Sequence, residues 1–201
     1  MKIICIGRNY ADHAKELNDG AEIPKEPLFF LKPDTALLRN NDAFYIPEGV
    51  GRVVAMPHIV LKNARLAKCI SERFASRCID GIMAGVTFTC ADTLAAAQRE
   101  GLPWDEAVGF DHSSALSLDT LPHDAMLEGA VFYINGEERA RIRIADMRFT
   151  PDRIVSHLSE CMTLRIGDLI YLGSAEEFEV KAGDNYRVEI AGKVLLNFDI
   201  K

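Results

Sequence analysis

Two neighbouring stretches near the start of the chain carry its most specific sequence signals: GRNYADHAKEL at residues 7–17 and PLFFLKPDTALL at residues 27–38. The first predicts a loop that opens at Gly7 and continues into a short helix. His13 and Glu16 lie three positions apart on that helix, so both side chains can face one site. A carboxylate that orients an imidazole makes an acid–base pair, whereas an ordinary surface ion pair has the same spacing. Spacing alone leaves both interpretations open.

Outward from these stretches, the chain has mostly the pattern of short β-strands. The sequence predicts strands at residues 3–6, 28–31, 53–61, 82–90, 132–134, 139–144, 169–172, 186–190 and 194–200, with a tight hairpin at Asn135–Gly136. It predicts helices over residues 63–78, where apolar residues recur at steps of four, over residues 92–101, and after Thr150–Pro151. Strands outnumber helices and do not alternate with them regularly. This favours a single α+β domain over residues 1–201, mainly β, with mixed, largely antiparallel strands and a few short helices.

The composition is that of a globular protein, with 48% hydrophobic and 26% charged residues among 201. The formal net charge is −7 and no basic run occurs, which argues against a nucleic-acid or anionic-membrane partner. The five cysteines form no C-x-x-C pair. The apolar run at residues 3–6 is too short for a signal sequence or a membrane span. These features predict a cytoplasmic protein with free thiols.

The two opening stretches resemble the amino-terminal signature of the fumarylacetoacetate hydrolase family. The resemblance continues in GLPW (101–104), FD (110–111), MTL (162–164), GDLI (167–170) and GD (183–184). Family members of similar length include acylpyruvate hydrolases, oxaloacetate decarboxylases and hydroxyheptadienedioate isomerases. The resemblance implies a β roll and a homodimer. It also implies a Mg²⁺ or Mn²⁺ ion to which a 2-oxo acid binds as a chelating ligand, while a His–Glu pair moves a proton or activates water.

The metal ligands that the resemblance implies are not present at the matching positions. The family holds its metal with a Glu-x-Glu pair and with an Asp in a later Asp-x-Thr segment. Aligned on HIVLK (58–62), the Glu-x-Glu pair falls on Met56 and His58; aligned on TFTCAD (87–92), the Asp falls on Thr87. A hard dication prefers several anionic oxygens, and none of these three side chains supplies one. We therefore expect no metal cofactor. In addition, Val108 stands at the position where family members carry a lysine.

The other half of the implied site is retained. The resemblance assigns proton transfer to His13 and Glu16, and substrate contacts to Arg8, Tyr10 and Lys32. A structural alternative is that Arg8, Tyr10 and Lys32 fasten the first loop to the domain. Asp111, in the Phe-Asp step, is a further candidate for the site.

Basic side chains near the old metal positions suggest another way to bind an anion. Arg52, His58 and Arg143 stand where the family pattern has acidic or small residues. If they face the cavity, guanidinium groups can hold a small carboxylate in place of the metal. The alternative is that Arg52 and Arg143 are solvated strand residues.

Three functional hypotheses follow from these observations. The first is a catalytically degenerate member, a pseudoenzyme, that still binds a small carboxylate in the old pocket. The second is an active hydrolase, isomerase or decarboxylase of a 2-oxo acid that uses His13 and Glu16 without a metal. The third, physically the weakest, is a hydrolase with a rearranged metal site, for which His58, Cys90 and His112 are conceivable zinc ligands.

Overall fold

The computed structural model describes residues 1–10 and 24–201. Within these residues the chain forms two β-sheets, three short α-helices and several 3-10 turns. The strands are β1 (Ile3–Gly7), β2 (Leu28–Lys32), β3 (Leu37–Leu38), β4 (Val53–Asn63), β5 (Ile79–Cys90), β6 (Ser114–Leu116), β7 (Ala130–Ile134), β8 (Glu137–Ile142), β9 (Leu169–Tyr171), β10 (Phe178–Glu179), β11 (Asn185–Ile190) and β12 (Lys193–Asp199). The helices are α1 (Ala91–Glu100), α2 (Asp105–Val108) and α3 (Pro151–Cys161).

The larger sheet has the strand order β2-β1-β9-β4-β5-β6-β3, with β10 paired to β4, and the smaller sheet has the order β12-β11-β7-β8. Only β1–β9 and β3–β6 are parallel among the strand pairs of the described residues. The prediction of a mainly β, mixed and largely antiparallel fold with a few short helices is therefore confirmed. Among the described residues, no helix has the length and apolar character needed to cross a membrane.

The β4–β5 hairpin positions the candidate site. Its side chains alternate between two faces, as they must in a pleated sheet. Ile59 and Phe88 belong to the face that packs against the smaller sheet, where Phe88 meets Phe198 edge-to-face with ring centroids 6.3 Å apart. The opposite face carries a second apolar cluster that includes Val60 and Met83. Residues 56, 58 and 87 share the alternation of this second face.

Pro57 lies inside β4, where a central strand does not ordinarily tolerate proline. It is opposite Val86 of β5. On its other side, β10 pairs with residues 54–55 and β9 with residues 60–62, so Pro57 falls in the gap between these two short strands. A missing backbone donor is tolerated in such a gap because no strand there needs it.

The prediction of a helix over residues 63–78 is wrong. Strand β4 continues to Asn63, whose side-chain amide donates to the carbonyl oxygens of Arg65 and Arg165 and ties the chain into a turn. Ala67 then pairs with Leu164 in an isolated β-bridge, and only Glu72–Cys78 is helical, as a 3-10 helix. Leu66, which the periodicity places on an inward face, is 72% exposed.

The signals for the cap of α3, the end of α1 and the β7–β8 turn are confirmed. Thr150 caps α3, its side chain accepting the Arg153 N–H. Gly101 ends α1 with a left-handed φ of 67°. Asn135 and Gly136 both have positive φ, as a tight turn between β7 and β8 requires.

Candidate functional site

The loop that follows β1 is clamped from two sides through Asn9. The Asn9 side-chain amide donates to the carbonyl oxygen of Leu172 at 2.9 Å, and its Oδ1 accepts from the N–H of Phe149 at 3.0 Å. The Asn9 carbonyl also accepts from the backbone N–H of Arg148. Asn9 is thus the residue that fixes this loop between the end of β9 and the segment before α3.

Arg8 and Tyr10 flank this clamp. Arg8 is half-buried and has a positive φ of 53°, which is uncommon for a residue other than glycine. Tyr10 is 2% exposed and bridges to Met147. His13 and Glu16, the predicted acid–base pair, lie outside the described residues, as does the helix predicted to carry them.

Lys32 lies at the end of β2 with its ammonium group fully hydrogen-bonded inside the protein. The three acceptors are the carbonyl oxygens of Phe88 and Ser113, at 3.0 and 2.8 Å, and the Ser113 hydroxyl at 3.2 Å. An ammonium group has three N–H donors, so these contacts use them all. These contacts favour a structural role for Lys32, but they fasten strand β2 to Phe88 and Ser113 rather than the first loop to the domain. Burial lowers the pKa of this lysine to about 8.

Met56, His58 and Thr87, at the metal positions implied by the family, lie together on one face of the β4–β5 hairpin. Met56 is opposite Thr87, and His58 is opposite Gly85. The His58 Nε2 atom lies 2.8 Å from the Thr87 hydroxyl oxygen, and the Gly173 backbone N–H donates to His58 Nδ1 at 3.2 Å. His58 and Thr87 are 3% and 4% exposed.

These two contacts define the tautomer of His58. A backbone N–H only donates, so Nδ1 must carry the lone pair and Nε2 the proton, which is donated to Thr87. Burial, reinforced by the positive charge of Lys32, lowers the pKa of His58 to about 3. The imidazole is therefore neutral at ordinary pH and has no free ring nitrogen.

Aromatic packing closes the space beside this pair. The Tyr171 ring meets the His58 ring edge-to-face with centroids 5.4 Å apart, and its hydroxyl donates to the Ala115 carbonyl at 3.2 Å. A Cβ atom on Gly85 would come within 2.5 Å of Tyr171 Cε1 and 2.6 Å of Val60 Cγ2. Glycine at position 85 is what admits the tyrosine ring.

The side chains at these positions do not fit a hard dication. They offer a thioether, an imidazole whose two nitrogens are both engaged, and a neutral hydroxyl, without one anionic oxygen. Within residues 1–10 and 24–201, no group of three or more His, Cys, Asp or Glu side chains is arranged to hold a metal ion. His112, one of the conceivable zinc ligands, is exposed at a turn, whereas His58 is buried in the sheet.

The arginines proposed to replace the metal lie elsewhere, which corrects that hypothesis. Arg52 is on the surface, where its side chain is 53% exposed and pairs with Asp92 at 3.8 Å. Arg143 is exposed before the 3-10 helix Ile144–Asp146. Both positions match the alternative of solvated residues. Asp111 is also exposed, at a turn.

Sequence reasoning missed two residues of this region. Asn9 lies within GRNYADHAKEL (7–17), so its position in this motif was an available signal. The contact between Gly173 and His58 gave no signal in the sequence, because it joins segments 115 residues apart in the chain.

Comparison with known proteins assigns the whole chain to one family. The family model described as fumarylacetoacetate (FAA) hydrolase C-terminal matches residues 2–201. A mitochondrial oxaloacetate tautomerase of Arabidopsis thaliana is 34% identical over 206 residues, covering 100% of this chain and 91% of that protein. An oxaloacetate tautomerase of Escherichia coli K12 is 28% identical over 96% of this chain and 90% of that protein.

Solved structures agree with this assignment. A fumarylacetoacetate hydrolase family protein from Yersinia pestis CO92 aligns with a TM-score of 0.91 and 30% identity, over 100% of this chain and 93% of that chain. Fumarylpyruvate hydrolase from Pseudomonas aeruginosa, solved in complex with Mn²⁺ and pyruvate, aligns with a TM-score of 0.89 and 25% identity. That alignment covers 100% of this chain and 89% of the Pseudomonas chain.

Proposed function

The chain belongs to the fumarylacetoacetate hydrolase family, and we propose that within it this protein is a catalytically degenerate member that binds a small carboxylate without a metal ion. The observation that carries the proposal is the hydrogen bond between His58 and Thr87. His58 and Thr87 stand at two of the positions at which the family resemblance places metal-binding carboxylates. A neutral, fully hydrogen-bonded pair supplies neither the charge nor the free lone pairs that Mg²⁺ or Mn²⁺ requires.

Electrostatics supports the proposal independently of any count of ligands. Lys32 lies close enough to His58 for its positive charge to lower the pKa of the imidazole. In a site with a bound dication, carboxylates balance that charge; among the described residues around His58, the buried polar groups are the Lys32 ammonium and neutral side chains. Adding a second cation to this buried environment is unfavourable.

Metal binding by wild type and by a restored variant tests the proposal. The variant carries Met56→Glu, His58→Glu and Thr87→Asp. We expect 1 mM MnCl₂ to leave the melting temperature of wild type unchanged and to raise that of the variant. A ligand present at about 100 times its Kd adds about 2.7 kcal/mol of stability, which is several degrees for a chain of this size.

Elemental analysis of the same preparations gives a second readout. Wild type purified from manganese-supplemented medium and dialysed should contain no stoichiometric metal. One manganese ion per wild-type chain, with a rise in melting temperature, would overturn the proposal. This comparison stands even if the variant fails to fold, because the deciding sample is wild type.

A second candidate is a metal-independent oxaloacetate tautomerase. This candidate is favoured by the similarity of the chain to oxaloacetate tautomerases of Arabidopsis and Escherichia coli. Keto–enol exchange moves one proton between an oxygen and a carbon, and an imidazole–carboxylate pair such as His13–Glu16 has the right groups for it.

The two candidates are separated by following the ultraviolet absorbance of enol-oxaloacetate in metal-free buffer. Ketonisation by wild type that disappears in His13→Ala and Glu16→Gln, but survives in His112→Ala, supports the tautomerase. Rates equal to the buffer blank for all four proteins support the binding protein. Chelator and a manganese-loaded control exclude trace metal as the source of activity.

A further inference from the structure

A cavity of about 430 Å³ opens beside the loop that ends at Tyr10. Its wall includes Tyr10, Arg141, Asp146, Arg148 and Ala175. The volume is within the range of small-molecule sites. We call it the Tyr10–Arg148 cavity. It is separate from the His58–Thr87 pair but adjoins the same loop, since Ala175 follows two residues after Gly173, whose N–H binds His58.

Tyr10 and Arg148, two residues of this wall, each carry a buried polar atom that has no hydrogen-bond partner among the described residues: the Tyr10 hydroxyl oxygen and the Arg148 Nε atom. Buried polar groups are nearly always hydrogen-bonded, so two such atoms in residues of one cavity wall need an explanation. Both atoms can donate a hydrogen bond, and a carboxylate oxygen can accept from both.

The charges of the wall distinguish Arg148 from its neighbour. Arg141 is already neutralised by Glu138, which accepts from its Nε and Nη2 atoms at 2.6 and 2.7 Å. Arg148 has no such pairing within residues 1–10 and 24–201. It is therefore the cation available to a ligand, and a guanidinium without a partner can turn toward the cavity.

Asp146 adds the acceptor on the same wall. Burial, and after it the charge of Asp146, raises the pKa of Tyr10, so the phenol stays protonated and remains a donor. A ligand in this cavity meets two hydrogen-bond donors, Tyr10 and Arg148, which suit an anionic group. It also meets the Asp146 carboxylate, which accepts a hydrogen bond. This combination favours a carboxylate with a neighbouring hydroxyl or amino group over a plain carboxylate.

We propose that the Tyr10–Arg148 cavity binds a small carboxylate bearing an adjacent hydroxyl or amino group. When the Tyr10 and Arg148 side chains turn toward the cavity, the ligand carboxylate accepts from Arg148 Nε and from the Tyr10 hydroxyl, and the ligand's hydroxyl or amino group donates to Asp146. The inference rests on the proposed function, because it names a site and a ligand class for the metal-free carboxylate binding proposed above.

Calorimetric titration in metal-free buffer with L-malate and succinate tests it, because these two probes differ by one hydroxyl group. We expect L-malate to bind at least about tenfold more tightly than succinate. Tyr10→Phe and Arg148→Gln should each weaken L-malate binding about tenfold or more, whereas the exposed control Arg143→Gln should leave it unchanged. Tyr10→Phe should keep the melting temperature, since the hydroxyl it removes is unpartnered.

Unchanged L-malate affinity in both Tyr10→Phe and Arg148→Gln would overturn the inference, as would the absence of any carboxylate binding. A repeat with Mn²⁺ separates this failure from failure of the proposed function. If L-malate binds only in the presence of Mn²⁺ and both variants match wild type, metal-free binding is wrong and the cavity is not the site. If binding without metal survives both variants, only the cavity assignment is wrong.

Discussion

His58 connects the buried site to the stability of the fold through its two hydrogen bonds. Both ring nitrogens are engaged, and protonation would place a proton on Nδ1 facing the Gly173 N–H. The ring therefore stays neutral in the folded protein until the pH falls to about 3, whereas in the unfolded chain it titrates at 6.5. Between these values the unfolded chain binds a proton that the folded chain does not, so stability falls as the pH falls.

We predict that this histidine alone removes about 2 kcal/mol of stability between pH 7 and pH 5. The measurement is the free energy of unfolding in urea at both pH values, for wild type and for His58→Gln. A glutamine amide can accept from Gly173 and donate to Thr87 without titrating. The variant should lack this part of the pH dependence. Equal slopes for the two proteins would show that His58 is not held neutral.

For individual residues, the sequence predicts which side chains stand at the family's metal positions, but not the hydrogen bonds that those side chains make. Alignment to the family pattern selects Met56, His58 and Thr87, and the structure places all three on one face of the β4–β5 hairpin. It does not give the tautomer of His58, because the deciding donor is Gly173, brought in from the end of β9. It also leaves open whether Arg52 and Arg143 face the cavity, because the charge of a residue does not specify the direction of its side chain.

Among the elements, α3 shows most directly how a local signal fixes a boundary. Thr150 accepts the Arg153 N–H at 3.2 Å, and Pro151 occupies the first helical position, where no backbone donor is needed. We predict that Thr150→Val lowers the free energy of unfolding by about 1 kcal/mol. Thr150→Ser, which keeps the capping oxygen, should retain most of it. Chemical denaturation of the three proteins checks this, and identical stabilities would mean that the cap is replaced by water.

The incorrect prediction of a helix over residues 63–78 shows what local sequence signals do not report. Apolar residues at steps of four are present, but the backbone of this segment is used by partners distant in the chain. Ala67 exchanges both backbone hydrogen bonds with Leu164, and Asn63 holds the carbonyl of Arg165. Periodicity reports which side chains can share a face, and it carries no information about such long-range backbone pairing.

For the molecule as a whole, the two sheets share one apolar core. Side chains of β4 and β5 pack with those of β7, β11 and β12 in a single buried cluster. Opening either sheet exposes the inner face of the other, so we expect residues 1–201 to unfold as one unit, in line with the single domain predicted from the sequence. The homodimer implied by the family resemblance stays a prediction, which light scattering of the purified protein checks.

Cysteine reactivity makes this cooperativity measurable. Cys69 and Cys161 are exposed, and Cys5, Cys78 and Cys90 are buried; burial also raises the pKa of Cys5 to about 11, which suppresses its thiolate. We predict two fast-reacting thiols in the native protein and five in urea. The three slow thiols should appear at the urea concentration at which the far-ultraviolet circular dichroism is lost.

All three buried cysteines lie in or beside the larger sheet, so the smaller sheet needs its own probe. Val188→Cys places a buried thiol of similar size in β11, where Val188 is 0% exposed. If the sheets unfold together, this fourth slow thiol should become reactive at the same urea concentration as Cys5, because the shared core leaves neither sheet a stable inner face. Exposure of residue 188 at clearly lower urea would mean that the smaller sheet opens first and that the chain contains two folding units.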